Sequence, residues 1–196
     1  MMMCRVLQVS RAGFYRWKQR PPCARQTRRE TMKEQVADSW SNTYIWIEKQ
    51  WMYLATVMDL YSRAIVGWAL DSQMTDQLVI SAVKMAFDRR GCHPGLIIHT
   101  DRGVQYRSQK YIDFICRHGA KPSMSRKGNC WDNAPMESSF SRLKVELIYA
   151  EKFETVGQMK SAVFEYIEVF YNRLRRHSAL GYQSPAEYEK NAAKAA

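Results

Sequence analysis

The stretch His99-Thr100-Asp101-Arg102-Gly103-Val104-Gln105-Tyr106 directly follows the short apolar run Leu96-Ile97-Ile98. A short apolar run bounded by turn-forming residues predicts a buried β-strand. Asp101 therefore lies just past the end of a predicted strand. Loops that leave a rigid strand are frequent positions for binding and catalytic side chains. This makes Asp101 a candidate functional carboxylate.

A second candidate carboxylate, Glu137, lies in the first turn of a predicted helix. Asp132 or Asn133 is suited to cap this helix, and Pro135 fits its first turn, where a backbone N–H has no helical partner. The apolar positions that recur at helical spacing are Phe140, Leu143, Leu147 and Ile148, whereas Arg142, Lys144 and Glu146 fall off that face.

One strand-end Asp and one helix-borne Glu can converge on Mg²⁺, which prefers oxygen ligands. Two such ions can hold the attacking and leaving oxygens of a phosphodiester. Lys144 follows Glu137 by two helical turns, so it can hold a phosphate on the same helix face. For an isolated pair of acids, the alternative is a turn residue at Asp101 and a capping or solvated carboxylate at Glu137.

Two sequence motifs decide between these interpretations. The stretch 99–106, together with Ser125-Arg126-Lys127-Gly128-Asn129-Cys130-Trp131-Asp132-Asn133-Ala134-Pro135-Met136-Glu137, resembles the integrase-type core of bacterial insertion-sequence transposases. That family carries an Asp, Asp, Glu triad with thirty-five residues between the last two acids, and residues 102–136 give the same spacing here. The resemblance extends from about Thr43 to Tyr188.

The resemblance implies an α/β, ribonuclease-H-like fold: a mixed five-stranded sheet flanked by helices. It also implies metal-dependent cleavage and strand transfer at insertion-sequence ends, with Asp101 and Glu137 binding Mg²⁺ or Mn²⁺. The partners it implies are double-stranded DNA and further copies of the chain. The residues it assigns to DNA phosphates are Arg126, Lys127, Arg142 and Lys144. Arg126 and Lys127 lie in a glycine-containing loop, for which a mobile loop without DNA contacts is the alternative.

The chain departs from the family pattern at the first acid. Relatives place that acid two residues before a Thr-Tyr pair, and Thr43-Tyr44 matches the pair, so its position falls on Ser41. The motif that normally accompanies the first acid is matched by Asp59-Leu60-Tyr61-Ser62-Arg63. We interpret Asp59 as a turn residue, while substitution of the missing acid by Asp38 or Asp59 remains an alternative.

The charge distribution favours a polyanionic partner. The chain of 196 residues carries a net charge of +11 and has a pI near 9.6. Residues 1–40 have a net charge of +6 and residues 99–150 of +4, whereas 41–98 are neutral and 151–196 carry +1. The neutral block is typical of a sheet core, and the basic blocks indicate DNA contacts.

The remaining composition argues for a cytoplasmic protein. The five cysteines are odd in number and show no Cys-x-x-Cys spacing, which disfavours a zinc site or a disulfide framework. The sequence contains no stretch of about 18 uncharged apolar residues, so it predicts no membrane span.

We divide the chain into a basic helical leader at 1–30, a shortened junction at 31–42, the integrase-type core at 43–188 and a frayed tail at 189–196. The leader contains Val9–Trp17, which resembles a segment of the family's DNA-binding part, although a surface helix with a solvated basic face is the alternative. The predicted strands are Tyr44–Ile47, Trp51–Met58, Ala64–Ala69, Leu96–Ile98 and Lys121–Met124. The other predicted helices are Thr75–Arg90, Ser108–His118 and Thr155 to about Asn172.

Three functions compete. The chain is a working transposase with a substitute acid, a shortened copy that binds DNA but transfers strands poorly, or a binding partner that modulates an intact transposase. Ser41 and the lack of room for the family's helical region before Trp40 favour the second. A ribonuclease-H-type nuclease is a more distant alternative, disfavoured by the transposase-like motif around Glu137.

Overall fold

A five-stranded mixed sheet forms the centre of the protein, in a computed structural model that describes residues 36–125 and 134–195, with side chains for 43–125 and 134–194. The strands are β1 (Val36–Ile47), β2 (Gln50–Asp59), β3 (Ile65–Asp71), β4 (Ile97–Thr100) and β5 (Lys121–Met124). Their spatial order is β3-β2-β1-β4-β5. β1 pairs antiparallel with β2, and β2 with β3, whereas β4 runs parallel to both β1 and β5. The predicted mixed α/β sheet is confirmed.

Five α-helices flank this sheet within the described residues. They are α1 (Asp76–Arg90), α2 (Gln109–Arg117), α3 (Ala134–Leu143), α4 (Val156–Glu165) and α5 (Pro185–Ala195). Helix α3 continues into a π-helical turn at Lys144–Ile148, and α4 into a π-helical stretch at Tyr166–Leu174. None of the helices in the described part of the chain is both long and apolar enough to cross a membrane.

The helices begin where the sequence offers a side-chain cap. Thr75 accepts a hydrogen bond from the Leu78 backbone N–H at 3.4 Å and starts α1. Thr155 starts α4 with a reciprocal capping box, in which its hydroxyl accepts from the Gln158 backbone N–H and its own backbone N–H donates to the Gln158 side-chain oxygen. Both predicted starts are confirmed. The predicted caps of α3, Asp132 and Asn133, lie outside the described residues.

Two apolar clusters cover the two faces of the sheet. Alternating residues of β2 separate them: Ala55 and Val57 pack under α1 and α2, while Leu54 and Met58 pack under α3 and α4. Gly67 on β3 lets α1 approach the sheet directly, because a β-carbon there would overlap the Ala82 carbonyl oxygen. The sheet is therefore buried on both sides over most of its length.

The pairing of β1 with β4 positions the candidate site. Trp40 lies opposite Thr100 in the parallel register, so Ser41 and Asp101 follow at the same level of the two strands. On its other side, β1 places Ser41 opposite Thr56 of β2. The backbones of position 41 and Asp101 are therefore adjacent.

The structure differs from the sequence prediction at both ends of the core. β1 begins at Val36 rather than Tyr44, because its polar first half is held by pairing with β4 and β2. It thereby takes up most of the predicted junction. In place of the predicted frayed tail at 189–196, α5 continues to Ala195, and Glu189 forms an ion pair with Arg90 at 2.6 Å. The predicted leader at 1–30 lies outside the described residues.

Candidate active site at the carboxyl end of β4

Asp101 is held in a tight turn immediately after β4. Its carboxylate Oδ1 accepts a hydrogen bond from the Gly103 backbone N–H at 2.7 Å, and the side chain is half-buried. A β-carbon at Gly103 would lie 3.0 Å from that same oxygen and 2.7 Å from the Gln105 amide nitrogen. Asp101 is thus a turn residue whose carboxylate has a fixed orientation. The turn engages only Oδ1, so Oδ2 is not committed by this bond.

A polar network ties the ends of β4 and β5 together beside Asp101. The His99 ring contacts the hydroxyls of Ser123 and Ser125 at 3.1 and 3.2 Å. The Ser125 hydroxyl donates to the Thr100 carbonyl at 3.1 Å, so it accepts from His99 Nε2–H. The Arg102 guanidinium donates to the Ser125 carbonyl at 2.8 Å. Sequence reasoning missed this network, which follows from the parallel pairing of His99 with Ser123.

Glu137 is exposed in the first turn of α3. Helix α3 buries its apolar face in the cluster that contains Ile45 and Ile47 of β1. The buried residues of α3 and its π-helical turn are Met136, Ser139, Phe140, Leu143 and Leu147. Glu137 is therefore carried by the helix that packs on the strand of Ser41. The predicted apolar stripe of this helix is confirmed, with Met136 added.

The register of β1 and β2 argues against Asp38 and Asp59 as substitutes for the missing first acid. Asp38 and Asp59 lie opposite each other on β1 and β2. Each is three residues, about 10 Å, from the level of Ser41. Asp59 also accepts a hydrogen bond from the Tyr61 backbone N–H at 2.8 Å, as expected of a turn residue. Among the residues whose side chains are described, no three His, Cys, Asp or Glu are grouped so as to hold a metal ion.

The predicted phosphate-binding residues are only partly described. Arg142 is exposed in the last turn of α3. Lys144 is half-buried, and its amino group lies 5.4 Å from the ring centroid of Tyr44 on β1. Arg126 and Lys127 lie outside the described residues. The two described cations therefore follow Glu137 along the same helical segment.

Glu146, in the π-helical turn that follows α3, is held in a clamp of hydrogen bonds from two side chains that come later in the chain. Arg175 donates to both carboxylate oxygens, at 2.8 Å each, and the Tyr166 hydroxyl donates at 2.8 Å. The hydrogen bond from Arg175 is the main reason why the pKa of Glu146 lies below its usual value. Nearby, burial and then the charge of Arg175 lower the pKa of His177 to about 4. Arg175 and His177 are both half-buried.

Comparison with known proteins bears on both the fold and the family. Two models of the integrase core domain match the chain, one over residues 32–130 and one over 137–192. The chain is 49% identical over 147 residues to the transposase InsF of insertion sequence IS3A from Escherichia coli K12, covering 75% of the chain and 51% of that protein. It is 47% identical over 148 residues to the transposase of IS904 from Lactococcus lactis, covering 76% and 58%. The chain spans about half the length of these curated relatives.

Solved structures of integrase cores share the fold. The catalytic core domain of HTLV-2 integrase in complex with magnesium superimposes with a TM-score of 0.59 at 18% identity, covering 79% of this chain and 95% of that one. A simian T-cell lymphotropic virus intasome, in complex with a PP2A regulatory subunit, gives a TM-score of 0.64 at 14% identity, with 79% and 54% covered. The resemblance seen in the sequence is confirmed, and the chain belongs to the integrase core domain family.

Proposed function

We propose that this core acts on DNA in transposition, cleaving the ends of an insertion sequence and joining them to a target. One observation carries the proposal: the parallel register brings Asp101 to the level of the position where relatives have their first acid. Helix α3, which packs on that same strand, carries Glu137. In the proposed site, Asp101 and Glu137 are the metal ligands.

The donor set fits a hard divalent cation such as Mg²⁺ or Mn²⁺. Asp101 is preorganised by its turn, and Glu137 is exposed. Two carboxylates are a normal protein contribution for Mg²⁺, which keeps several water ligands. When bound, the metal would supply the charge that stabilises the attacking and leaving oxygens. The related HTLV-2 core was solved with magnesium.

The proposed DNA contacts are electrostatic. Arg142 offers a planar fork that matches a phosphate, and Lys144 offers a point charge on a flexible stem. With Arg126 and Lys127, which precede Glu137 in the sequence, they would orient the strand without reading its sequence. Double-stranded element ends and target DNA are the proposed substrates, bound by more than one copy of the chain.

We further propose that Ser41 impairs the chemistry. A serine hydroxyl is a neutral ligand, so two carboxylates remain where three would offset the charge of two divalent ions. Loss of one metal position removes several kcal/mol of transition-state stabilisation, and each ~1.4 kcal/mol is a factor of ten in rate. The second candidate function is a DNA-binding partner that modulates an intact transposase, favoured by a five-stranded core fold that lacks the first acid.

Strand transfer on pre-cut element ends tests this proposal. We expect the unaltered chain to be inactive or nearly so with Mg²⁺ or Mn²⁺. Ser41→Asp should tighten Mn²⁺ binding in calorimetry and restore strand transfer, whereas Ser41→Asn, of similar size but uncharged, should do neither. Vigorous strand transfer by the unaltered chain, lost on Asp59→Asn or Asp38→Asn, would identify a substitute acid and contradict the role given to position 41.

A further inference from the structure

The hairpin formed by β1 and β2 exposes three large aromatic side chains. Tyr44 is 58% exposed, Trp46 56% and Trp51 46%. Trp46 pairs with Trp51 across the strands, and the side chains of all three lie on one face of the sheet because strand residues alternate. We call Tyr44, Trp46 and Trp51 the hairpin aromatic face.

The hairpin aromatic face is a continuous cluster. The Trp46 and Trp51 ring centroids are 4.9 Å apart, and those of Tyr44 and Trp51 are 5.5 Å apart, both edge to face. Farther along β2, helices α1 and α2 cover this side of the sheet over Ala55 and Val57. Tryptophan is highly buried on average, and adjoining exposed apolar side chains mark interaction sites. Packing of the core does not account for these exposed rings.

A cation connects this face to the proposed active site. The Lys144 amino group lies over the Tyr44 ring at 5.4 Å, in cation–π geometry. Lys144 follows α3, the helix of Glu137, and Tyr44 is three residues, about 10 Å, beyond position 41 on β1. The hairpin turn itself adds no net charge, since it carries both Glu48 and Lys49. A phosphate bound at Lys144 would therefore place its nucleotide beside the aromatic rings.

We propose that the hairpin aromatic face stacks unpaired bases of a DNA strand whose phosphate is held by Lys144. Aromatic side chains beside a basic group are the general platform for single-stranded nucleic acid, because every base has a π face. A closed duplex keeps its bases stacked inside and offers none to these rings. The inference rests on the proposed function, which brings DNA to this edge, and specifies that the bound end is partly unpaired.

A second copy of the chain is the competing occupant. A symmetric contact through this face would bring two Lys144 ammonium groups into a shared interface, and the hairpin face supplies no net negative charge to pair with them. An unpaired buried charge is costly, whereas a DNA phosphate supplies the missing counter-charge. Charge complementarity therefore favours the nucleic acid.

The test compares binding of the full chain to a forked duplex with an unpaired tail and to a blunt duplex of equal length, in EDTA. Trp46→Leu with Trp51→Leu keeps apolar bulk but removes the π faces, and should weaken binding to the forked duplex about tenfold per base that it stacks, with little change for the blunt one. Trp46→Phe with Trp51→Phe should keep the preference for the fork. Phe164→Leu, an exposed aromatic on α4, is the matched control. The fork should also quench tryptophan fluorescence of the unaltered chain.

Several outcomes overturn the inference. Stacking is ruled out if the double Leu variant binds the forked duplex as tightly as the unaltered chain. It is also ruled out if the double Phe variant loses as much affinity for the fork as the double Leu variant. If the double Leu variant differs from the unaltered chain in oligomeric state, measured by sedimentation, but still prefers the forked duplex, the hairpin aromatic face binds a second copy of the chain instead. If the double Leu variant does not melt cooperatively, Tyr44→Leu makes the same comparison. Failure of the proposed chemistry is separate, because fork binding is measured in EDTA, where no metal-dependent strand transfer takes place, whereas Ser41→Asp in Mn²⁺ tests the chemistry alone.

Discussion

Two glutamates on one helical segment have opposite surroundings. Glu137, in the first turn of α3, is exposed. Glu146, in the π-helical turn nine residues later, receives hydrogen bonds from Arg175 and Tyr166. The protein itself satisfies the second carboxylate, whereas the first remains available for a ligand. The difference separates a structural acid from a candidate catalytic one on the same element.

The largest expected effect concerns Glu137. In a Ser41→Asp background, Glu137→Gln should reduce strand transfer by a hundredfold or more, since the amide offers a neutral ligand in place of a carboxylate. Its melting temperature should stay within about a degree, because exposed substitutions rarely change stability. Strand-transfer assays and thermal melts measure the two quantities. Retained activity would remove Glu137 from the metal site.

Glu146 should behave in the reverse way. Glu146→Ala leaves the half-buried Arg175 and the buried Tyr166 without their acceptor, which should cost about 2–3 kcal/mol of unfolding free energy. A double-mutant cycle with Arg175→Ala should give a coupling of about 1–2 kcal/mol. Denaturant unfolding measures both. Glu165→Ala, at an exposed position on α4, is the control, and an equal loss there would contradict the clamp.

The contrast between these acids also shows what the sequence could predict. Asp101 and Glu137 were found because strand ends and helix starts have local signatures, as do the caps Thr75 and Thr155. The clamp could not be found, because Glu146 and Arg175 are 29 residues apart and only the fold brings them together. The ring of His99 likewise gains its serine partners through parallel strand pairing.

The first half of β1 was missed for a related reason. Asp38, Ser39, Ser41 and Asn42 are poor strand formers, so local propensity predicts a junction. The structure nevertheless extends the strand to Val36, because β4 and β2 supply backbone partners on both sides. Tertiary pairing overrides local propensity here, and it does so at the strand that carries the proposed metal-binding position.

A pH dependence should sharpen the description of the region around Arg175. The pKa of His177 is lowered to about 4, mainly by burial. The unfolded chain therefore takes up this proton at a higher pH than the folded one, so stability should fall as the pH drops from about 6.5 towards 4. The loss should be roughly 1–2 kcal/mol, discounted because the ring is partly exposed. His177→Phe should flatten that part of a stability–pH profile, and an unchanged slope would assign the loss to other groups.

Glu146 should add its own loss at lower pH. Its pKa in the folded protein is below the usual value, chiefly through the hydrogen bond from Arg175. The stability it contributes is present above about pH 4.5 and disappears as the pH falls through the lowered value. Glu146→Gln should therefore remove this loss of stability below about pH 4.5, while the loss due to His177 between about pH 6.5 and 4 remains.

The smallest expected effect concerns the cations on either side of Glu137 in the sequence and tests whether they contact DNA. Each phosphate that a protein neutralises contributes about 0.9 to the slope of log affinity against log salt. Neutralising Arg126, Lys127 and Lys144 to Gln should lower the slope for duplex DNA by about 2–3, and Lys144→Gln alone by about 1. Lys84→Gln is a matched control, since Lys84 is an exposed cation on α1 paired with Asp88 at 2.7 Å. Anisotropy titrations at several salt concentrations measure the slope, and equal changes for Lys144 and Lys84 would indicate that the DNA does not favour the side of the molecule where Glu137 lies.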